Sequence, residues 1–328
     1  VFNNQTILVT GGTGSWGHEL VRQLLEFSPK EIRIFSRNES SQFTMGQEFK
    51  GHSNISFVIG DIRDKEAIAE AAKNTDYIFH LAALKHVPIC EAQPLESLKT
   101  NVHGTQNVIE AAIANKVRSV VYISTDKASD PSNFYGFSKA MGERLIINAN
   151  TLNSGTKFVC IRGGNVLGTN GSVIHVFKKQ IAESKKVGIT DLKMTRFFLT
   201  LQDAIALVFK AVKDSVGGEI FVMKMPTCRI LDLAEVLIED SGVKNVRIET
   251  TGVRPGEKIH ELLLSNYECS YSIVYDDEYY VILPSIHING MKERYEGFEP
   301  VKLENYDSSD GLMTKKEIRA MLQRGGFL

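Results

Sequence analysis

Cysteine is scarce in this chain: four residues among 328, at Cys90, Cys160, Cys228 and Cys269, too far apart for any paired metal spacing. That distribution points to a reduced protein with structural thiols rather than a disulfide framework. The eight histidines are equally scattered, so no metal site is expected. An excess of one charge is missing as well: 38 basic against 39 acidic residues leave a formal net charge of −1. There is therefore no global electrostatic case for a nucleic-acid partner or an anionic membrane surface. No apolar run approaches the ~20 residues that a membrane span requires. Internal repeats and low-complexity segments are absent too. The first apolar run begins at Thr6 and leaves no room ahead of it for a signal peptide, so a cytoplasmic location is expected.

What is present is alternation. Short apolar runs at 6–9, 31–35, 55–59, 77–81, 119–123 and 157–161 predict strands. Helical periodicity occupies 18–27, 64–73, 95–115 and 135–150. Strand–helix alternation builds a parallel sheet covered on both faces, an α/β fold whose ligands bind beyond the carboxyl ends of the strands. After Arg162 the pattern changes. A glycine-rich connection at 163–170 leads to predicted helices at 173–184 and 201–213 and a last sheet strand at 219–224. The division expected is a nucleotide-binding domain of 1–163 with 196–224, and a smaller C-terminal substrate-binding lobe of 164–195 with 225–290. Residues 291–328 are an unassigned tail, with a possible terminal helix at 314–323.

The richest chemistry lies in Ser124-Thr-Asp126-Lys127 and, shortly after, Tyr135-Gly-Phe-Ser-Lys139. A Tyr and a Lys four residues apart share one helix face. At ~4 Å and an effective dielectric near 20, the ammonium would favour phenolate by roughly 4 kcal/mol, about three pK units. Tyr135 then becomes a usable base near neutrality. Asp126 and Lys127, at a strand end, add an acid and a second base. Four such groups imply more than the oxidation of an alcohol.

Gly11-Gly-Thr13-Gly14-Ser15-Trp16-Gly17 follows the first strand and opens the first helix. Glycines there permit a tight turn and close approach of backbone amides to a pyrophosphate, a Rossmann-type, doubly wound dinucleotide site. The second strand ends in Ser36-Arg37, where an acid usually grips the ribose of NAD. An Arg and a Ser suit a 2′-phosphate, so NADP is favoured; the alternative is a solvated Arg37 with Glu39 on the ribose. Asp61 and Ile62, after the third strand, would flank adenine. Ala82 and Ala83, after the fourth, let the cofactor pass close to the backbone.

Together these residues resemble the extended short-chain dehydrogenase/reductase family. Within it they look like the soluble UDP-N-acetylglucosamine 4,6-dehydratases that invert carbon 5. The resemblance also rests on Gly164-Asn165-Val166, Gly171-Ser-Val173, Asp191…Met194-Thr-Arg196-Phe197 and Arg254-Pro-Gly-Glu257-Lys258. It implies an NADP-dependent hydro-lyase. In its family chemistry, Tyr135 takes the O4 proton while hydride leaves C4, and Lys139 also holds the nicotinamide ribose. Lys127 removes the C5 proton, Asp126 protonates the departing 6-hydroxyl, and hydride returns to C6. Asp126 then needs a raised pKa, and Lys127 one lowered by burial or by nearby Lys85 and Lys139. The product implied is UDP-2-acetamido-2,6-dideoxy-β-L-arabino-hex-4-ulose, for pseudaminic acid, capsule, O-antigen or flagellin sugars.

By the same resemblance Thr125 would bond the sugar, and Asn101 would order active-site water and backbone beside the cofactor. Arg254 is the expected diphosphate ligand, Glu257 the ribose ligand, and Asn165 a contact to phosphate or sugar. Arg196 and Lys178 are further basic candidates, and Lys85 and His86 candidates for the sugar. A homo-oligomer, a hexamer by family resemblance, is implied. Two positions depart from the family pattern: Gly163 stands where an aromatic is common, and His175 where Pro is. The alternatives are a UDP-sugar 4-epimerase, which needs no Asp-Lys pair because only C4 changes, and an NADP-binding sensor without chemistry. The sensor predicts erosion of Tyr135, Lys139 or Lys127, and all three are present.

Overall fold

Near-continuous apolar runs make the first strands, β1 (Thr6–Thr10), β2 (Glu31–Ser36), β3 (Ile55–Ile59), β4 (Tyr77–His80), β5 (Ser119–Ile123) and β6 (Lys157–Arg162). Such runs suit a parallel sheet buried on both faces, and Ile7, Leu8, Val9, Val120, Val121, Phe158 and Val159 are fully buried. This computed structural model describes residues 1–169 and 172–328; Asn170 and Gly171 lie outside the described residues, and with them part of the expected Gly171-Ser-Val173 element. The later strands are β7 (Asn165–Val166), β8 (Lys186–Ile189), β9 (Thr195–Leu199), β10 (Ile220–Met223) and β11 (Thr227–Arg229). They are followed by β12 (Arg247–Thr250), β13 (Leu262–Leu264), β14 (Ser272–Val274), β15 (Tyr279–Ile282) and β16 (Tyr306–Asp307).

One nine-stranded sheet runs β14-β15-β10-β6-β5-β4-β1-β2-β3. It is parallel from β3 to β10 and closes with antiparallel β15 and β14. The strand order reverses between β1 and β4, which opens a crevice at their carboxyl ends. A second apolar core unites helix Val173–Ser184, helix Ile230–Ser241 and the C-terminal helix Lys315–Arg324 around Phe177, Leu233 and Leu322.

Three local features differ from the sequence expectation. Helix Glu39–Glu48 has almost no apolar stripe and carried no periodic signal. Polar anchors hold it instead: Asn38 Oδ1 accepts from Ser41 N (2.8 Å), and Gln42 Nε2 donates to Val58 O (2.8 Å). The helix expected at 95–115 runs from Pro94 to Ala114 with a π-helical turn at Lys99–His103 inside it, and a further short helix, Val87–Ala92, precedes it. Pro88 and Pro94 start these two helices, since proline suits a first turn and breaks an interior. Residues 272–282, expected with the smaller lobe, join the large sheet as a β14–β15 hairpin. A hairpin needs no crossover helix, so strand–helix alternation does not announce it. The tail, for its part, contributes Ile318, Met321 and Leu322 to the second core.

A buried charge network ties the elements together. Arg162, at the end of β6, is 1% exposed. Its Nε and Nη2 donate to both oxygens of Glu143 (3.0 and 2.7 Å), while Nη1 and Nη2 donate to both oxygens of Glu268 (3.0 and 2.9 Å). A further bond reaches Leu263 O (3.0 Å). Burial alone would raise the Glu268 pKa; the Arg162 charge and these hydrogen bonds hold it down at about 2. Arg162→Met strands two buried carboxylates and should cost about 3–5 kcal/mol in urea unfolding at neutral pH. The wild-type contribution from Glu268 is fully present above its ordinary value near 4.5 and is lost as pH falls toward about 2. That component of the acid slope should vanish in the variant.

Candidate active site

The crevice holds a cavity of about 650 Å³ whose wall collects residues from every strand end around it. From the glycine-rich loop come Gly11, Thr13, Gly14, Ser15 and Trp16; from the ends of β2 and β3 come Ser36, Arg37, Asp61 and Ile62. After β4 lie Ala82, Ala83, Lys85 and His86; after β5 lie Thr125, Asp126 and Lys127; Tyr135, Lys139 and Asn165 complete it. Gly17 lies behind the loop. A Cβ there would stand 1.9 Å from Gly12 O, so the helix approaches the turn only because the position is glycine.

Asp126 and Lys127 form a 3₁₀ turn, Asp126–Ala128, directly after β5. Helix Phe134–Ala149 then begins behind a short loop and presents Tyr135 and Lys139 toward the same space. Gly136 makes the close contact possible, since a Cβ would fall 2.2 Å from Lys127 O. Asp126 is 1% exposed. Its Oδ1 accepts from Thr125 Oγ1 (2.7 Å) and from Lys127 Nζ (3.1 Å). Its Oδ2 is buried and has no partner among the described residues.

The proton states differ from those expected. Lys127 was expected to be lowered. Burial does push that way, but the carboxylates of Asp126 and Glu261, the latter 3.3 Å from Nζ, outweigh it and raise its pKa. Tyr135 was expected to be lowered by Lys139. Burial instead pushes its phenol up to about 12; Lys127 is the cation opposing this, and a hydrogen bond with Thr125 helps. The Lys139 ammonium is directed elsewhere: Nζ donates to Ile123 O (2.7 Å) and lies 3.8 Å from the Tyr122 ring centroid. Burial brings Lys139 down to about 7.

Asn101 lines no part of the cavity. From the π-helical turn its Oδ1 accepts from Leu84 N (2.8 Å), and its Nδ2 donates to Leu84 O (2.9 Å) and Ser138 Oγ (2.9 Å). It fixes the backbone just before Lys85 rather than touching the cavity. His80, absent from the sequence reading, extends this network. Its Nδ1 faces Thr10 Oγ1 (2.7 Å) and its Nε2 faces Thr105 Oγ1 (3.0 Å), whose hydroxyl donates to Asn101 O (2.7 Å). That chain assigns the proton to Nε2, and burial holds the ring neutral, with a pKa of about 3.

Of the expected substrate residues, only Lys85, His86 and Asn165 reach the cavity wall. Lys178 is exposed on helix Val173–Ser184, and Arg254 is exposed in the loop before β13. Arg196 is buried with its donors engaged by the carbonyls of Thr195 (2.7 Å), Ile259 (3.0 Å) and Lys258 (3.0 Å). Glu257 is half-buried, 3.6 Å from Arg196. The Arg-Pro-Gly-Glu-Lys run instead docks on the loop before Tyr135. Asn133 Nδ2 donates to Gly256 O (2.9 Å), and Lys258 Nζ donates to the carbonyl of Asp130. Glu261 lies three residues beyond that motif in the same run, and no spacing within the run marks it.

The cavity suits a nicotinamide dinucleotide. A glycine loop opens a helix at its floor, Arg37 stands at the rim, and the buried Thr100 Oγ1 and Ser124 Oγ on its wall lack partners among the described residues. Fold and cavity thus define a dinucleotide-fold protein with a cluster of titratable groups at the strand ends. Residues 7–283 match the model of the polysaccharide biosynthesis protein family. The chain belongs to that family, with the extended short-chain dehydrogenase/reductase fold. It is 42% identical over 290 residues to a Campylobacter jejuni UDP-N-acetylglucosamine 4,6-dehydratase (inverting), covering 87% of this chain and 85% of that protein. A UDP-glucose 4-epimerase of Rickettsia typhi is 40% identical over 330 residues, 98% of this chain and 96% of that one. The X-ray structure of Pen from Bacillus thuringiensis aligns with a TM-score of 0.91 at 40% identity, covering 98% of this chain and 99% of Pen.

The lowered Lys139 has a readable consequence. Its folded value of about 7 lies below the ordinary 10.5, so between those values the unfolded chain binds the extra proton. The cost of burying the charge is complete below pH about 7 and fades toward pH about 10.5. In guanidinium unfolding across that window, wild-type stability should rise with pH relative to Lys139→Met.

Proposed function

We propose that this chain is a UDP-N-acetylglucosamine 4,6-dehydratase that inverts C5 and uses NADP. The observation that carries the reading is the Asp126–Lys127 pair on the same cavity wall as Tyr135 and Lys139. Loss of water across C5 and C6 needs an acid and a base beyond the group that serves O4. The 42% identity to the inverting dehydratase of Campylobacter jejuni supports the same reading.

A bound nicotinamide supplies reversible hydride acceptance. The chain's own residues handle the protons. Tyr135, hydrogen-bonded to Thr125 and opposite the Lys127 charge, exchanges the O4 proton; that charge lowers the cost of the phenolate. A ketone at C4 makes the C5 proton acidic. Lys127 passes its own proton across the 3.1 Å bond to Asp126, and the resulting amine takes the C5 proton. Asp126 delivers the proton it received to the C6 hydroxyl, which leaves as water. With the hydride restored at C6 and a proton restored to C5 on the opposite face, the net change is the loss of one water and the formation of UDP-2-acetamido-2,6-dideoxy-β-L-arabino-hex-4-ulose, a precursor for cell-surface glycan or flagellin sugars. Asn165, whose buried Oδ1 has no partner among the described residues, is placed to bond the sugar nucleotide beside Lys85 and His86. Arg254, Glu257 and Lys178 remain candidates for the UDP portion outside this cavity. A homo-oligomer belongs to the same reading, and the exposed Ile89, Leu95, Phe137 and Met141 support it.

A UDP-sugar 4-epimerase is the competing reading, favoured by the name of the Rickettsia relative. Epimerisation changes C4 alone and leaves Asp126 and Lys127 without a proton to move. Incubation with UDP-N-acetylglucosamine in D2O, followed by proton NMR, separates the two. A new C6 methyl with deuterium at C5 is expected; UDP-N-acetylgalactosamine without a methyl would mark the epimerase. Tyr135→Phe should lower turnover by about 10²–10⁴-fold.

NADP rests on Ser36 and Arg37 at the end of β2, with Arg37 exposed at the rim and 3.6 Å from Asp61. Trp16, the sole tryptophan, lines the cavity, so its fluorescence reports occupancy. In that titration Arg37→Ala should weaken NADPH binding by about tenfold or more and leave NADH nearly unchanged.

A further inference from the structure

Glu261 is buried, charged and outside the cavity wall, yet it faces the centre of the proton chemistry. Its side chain is 4% exposed, with Oε1 3.3 Å from Lys127 Nζ and 3.5 Å from Arg196 Nε. Its backbone is fixed independently of that carboxylate. Glu261 N donates to Ser308 Oγ (2.9 Å), and Ser308 N donates to Glu261 O (2.9 Å). Arg196 cannot swing away, because its other donors are engaged by three backbone carbonyls. The run before β13 therefore presents one fixed carboxylate to Lys127.

We propose that Glu261 is a positioning residue that sets, from outside the cavity, how one proton is shared between Lys127 and Asp126. The inference rests on the dehydratase reading, in which Lys127 acts as an amine and Asp126 as a carboxylic acid. Those two forms arise from the ammonium–carboxylate pair by moving one proton along the 3.1 Å hydrogen bond, with no net change in charge. An anion 3.3 Å from the ammonium holds the pair on the charged side. Arg196 moderates the effect by facing the same carboxylate.

The charged and titratable groups around Lys127 are Asp126 on its own turn, Glu261 from the run before β13, Arg196 from β9 and Tyr135 from the helix start. Among them Asp126 and Glu261 favour the ammonium, Arg196 disfavours it, and the ammonium in turn favours Tyr135 phenolate. Glu261 thus keeps Lys127 charged while O4 gives up its proton, and the amine forms only as Asp126 becomes the acid. Without Glu261 the amine would form at lower pH.

The test reads Lys127 directly and does not depend on turnover. Acetic anhydride labelling in a fixed pulse from pH 6 to 11, with mass spectrometry of the Lys127 peptide, gives its labelling midpoint, the pH at which half of Lys127 is labelled, in wild type, Glu261→Gln and Glu261→Asp. The midpoint should fall by about one pH unit or more in Glu261→Gln and by less in Glu261→Asp, which keeps the charge but withdraws it by one methylene. In parallel, the acid limb of the kcat profile should move to lower pH in Glu261→Gln while KM stays within about threefold. A carboxylate that merely braces Arg196 would lower thermal stability and leave the midpoint in place. An unchanged midpoint overturns the proposal, and where Glu261→Gln does not fold, Glu261→Asp decides it. A wild-type enzyme that forms no C6 methyl would overturn the dehydratase reading, whereas the labelling midpoint still decides what Glu261 does to Lys127.

Discussion

The fork of Arg162 between Glu143 and Glu268 is the constraint on which the site's geometry depends. A guanidinium that is 1% exposed is tolerated only with its donors satisfied, and both carboxylates meet it in two-pronged fashion. Each partner belongs to a different part of the machinery. Glu143 sits one turn beyond Lys139 on the helix that also carries Tyr135. Glu268 accepts from Ser129 Oγ (2.8 Å), three residues after Asp126. The β6 strand end, the Tyr–Lys helix and the Asp–Lys turn are thereby fixed relative to one another by one charge cluster. Apolar packing supplies most of the stability in such a core, but it is not directional; the fork is.

A second consequence is that the run at 254–261 packs against the loop and turn at 126–133. Gly256 and Lys258 grip the loop at 129–133, and Arg196 gathers the carbonyls of the same run. Lys127 lies between the carboxylate of Asp126 on its own turn and that of Glu261 from the run before β13. Strong interactions in a water-poor site cut both ways, since an uncompensated charge there is as costly as a paired one is firm. This explains why two lysines twelve residues apart end in opposite states. Lys127 has two carboxylates near it and is held charged, whereas Lys139 has a carbonyl and a ring face and is brought down to about 7.

Much of this protein is legible in its residues. The strand–helix alternation follows from apolar runs of strand length between amphipathic ones, a local property of the chain. The glycine loop, the strand-end Arg37 and the Tyr135–Lys139 spacing are equally local, because each depends on backbone geometry within a few residues. Elements without a periodic signature were not legible. Helix Glu39–Glu48 is held by Asn38 and Gln42 rather than by an apolar face, and the β14–β15 hairpin needs no crossover. The six-residue helix Val87–Ala92 is too short to show a period, and the π-helical turn at Lys99–His103 leaves the helix around it continuous.

The sequence by itself determined which chemical groups stand at the strand ends and that a dinucleotide fold would carry them. Only tertiary structure decided their charge. The charge state of Lys127 is set by burial, by Asp126 beside it and by Glu261, 134 residues further along the chain. Whether Tyr135 is easy to ionise depends on how deeply it is buried and on which cation faces it. A local motif specifies covalent spacing, whereas a proton's affinity is set by every charge and every solvent molecule within several ångströms. Long-range folding alone determines which of those are present.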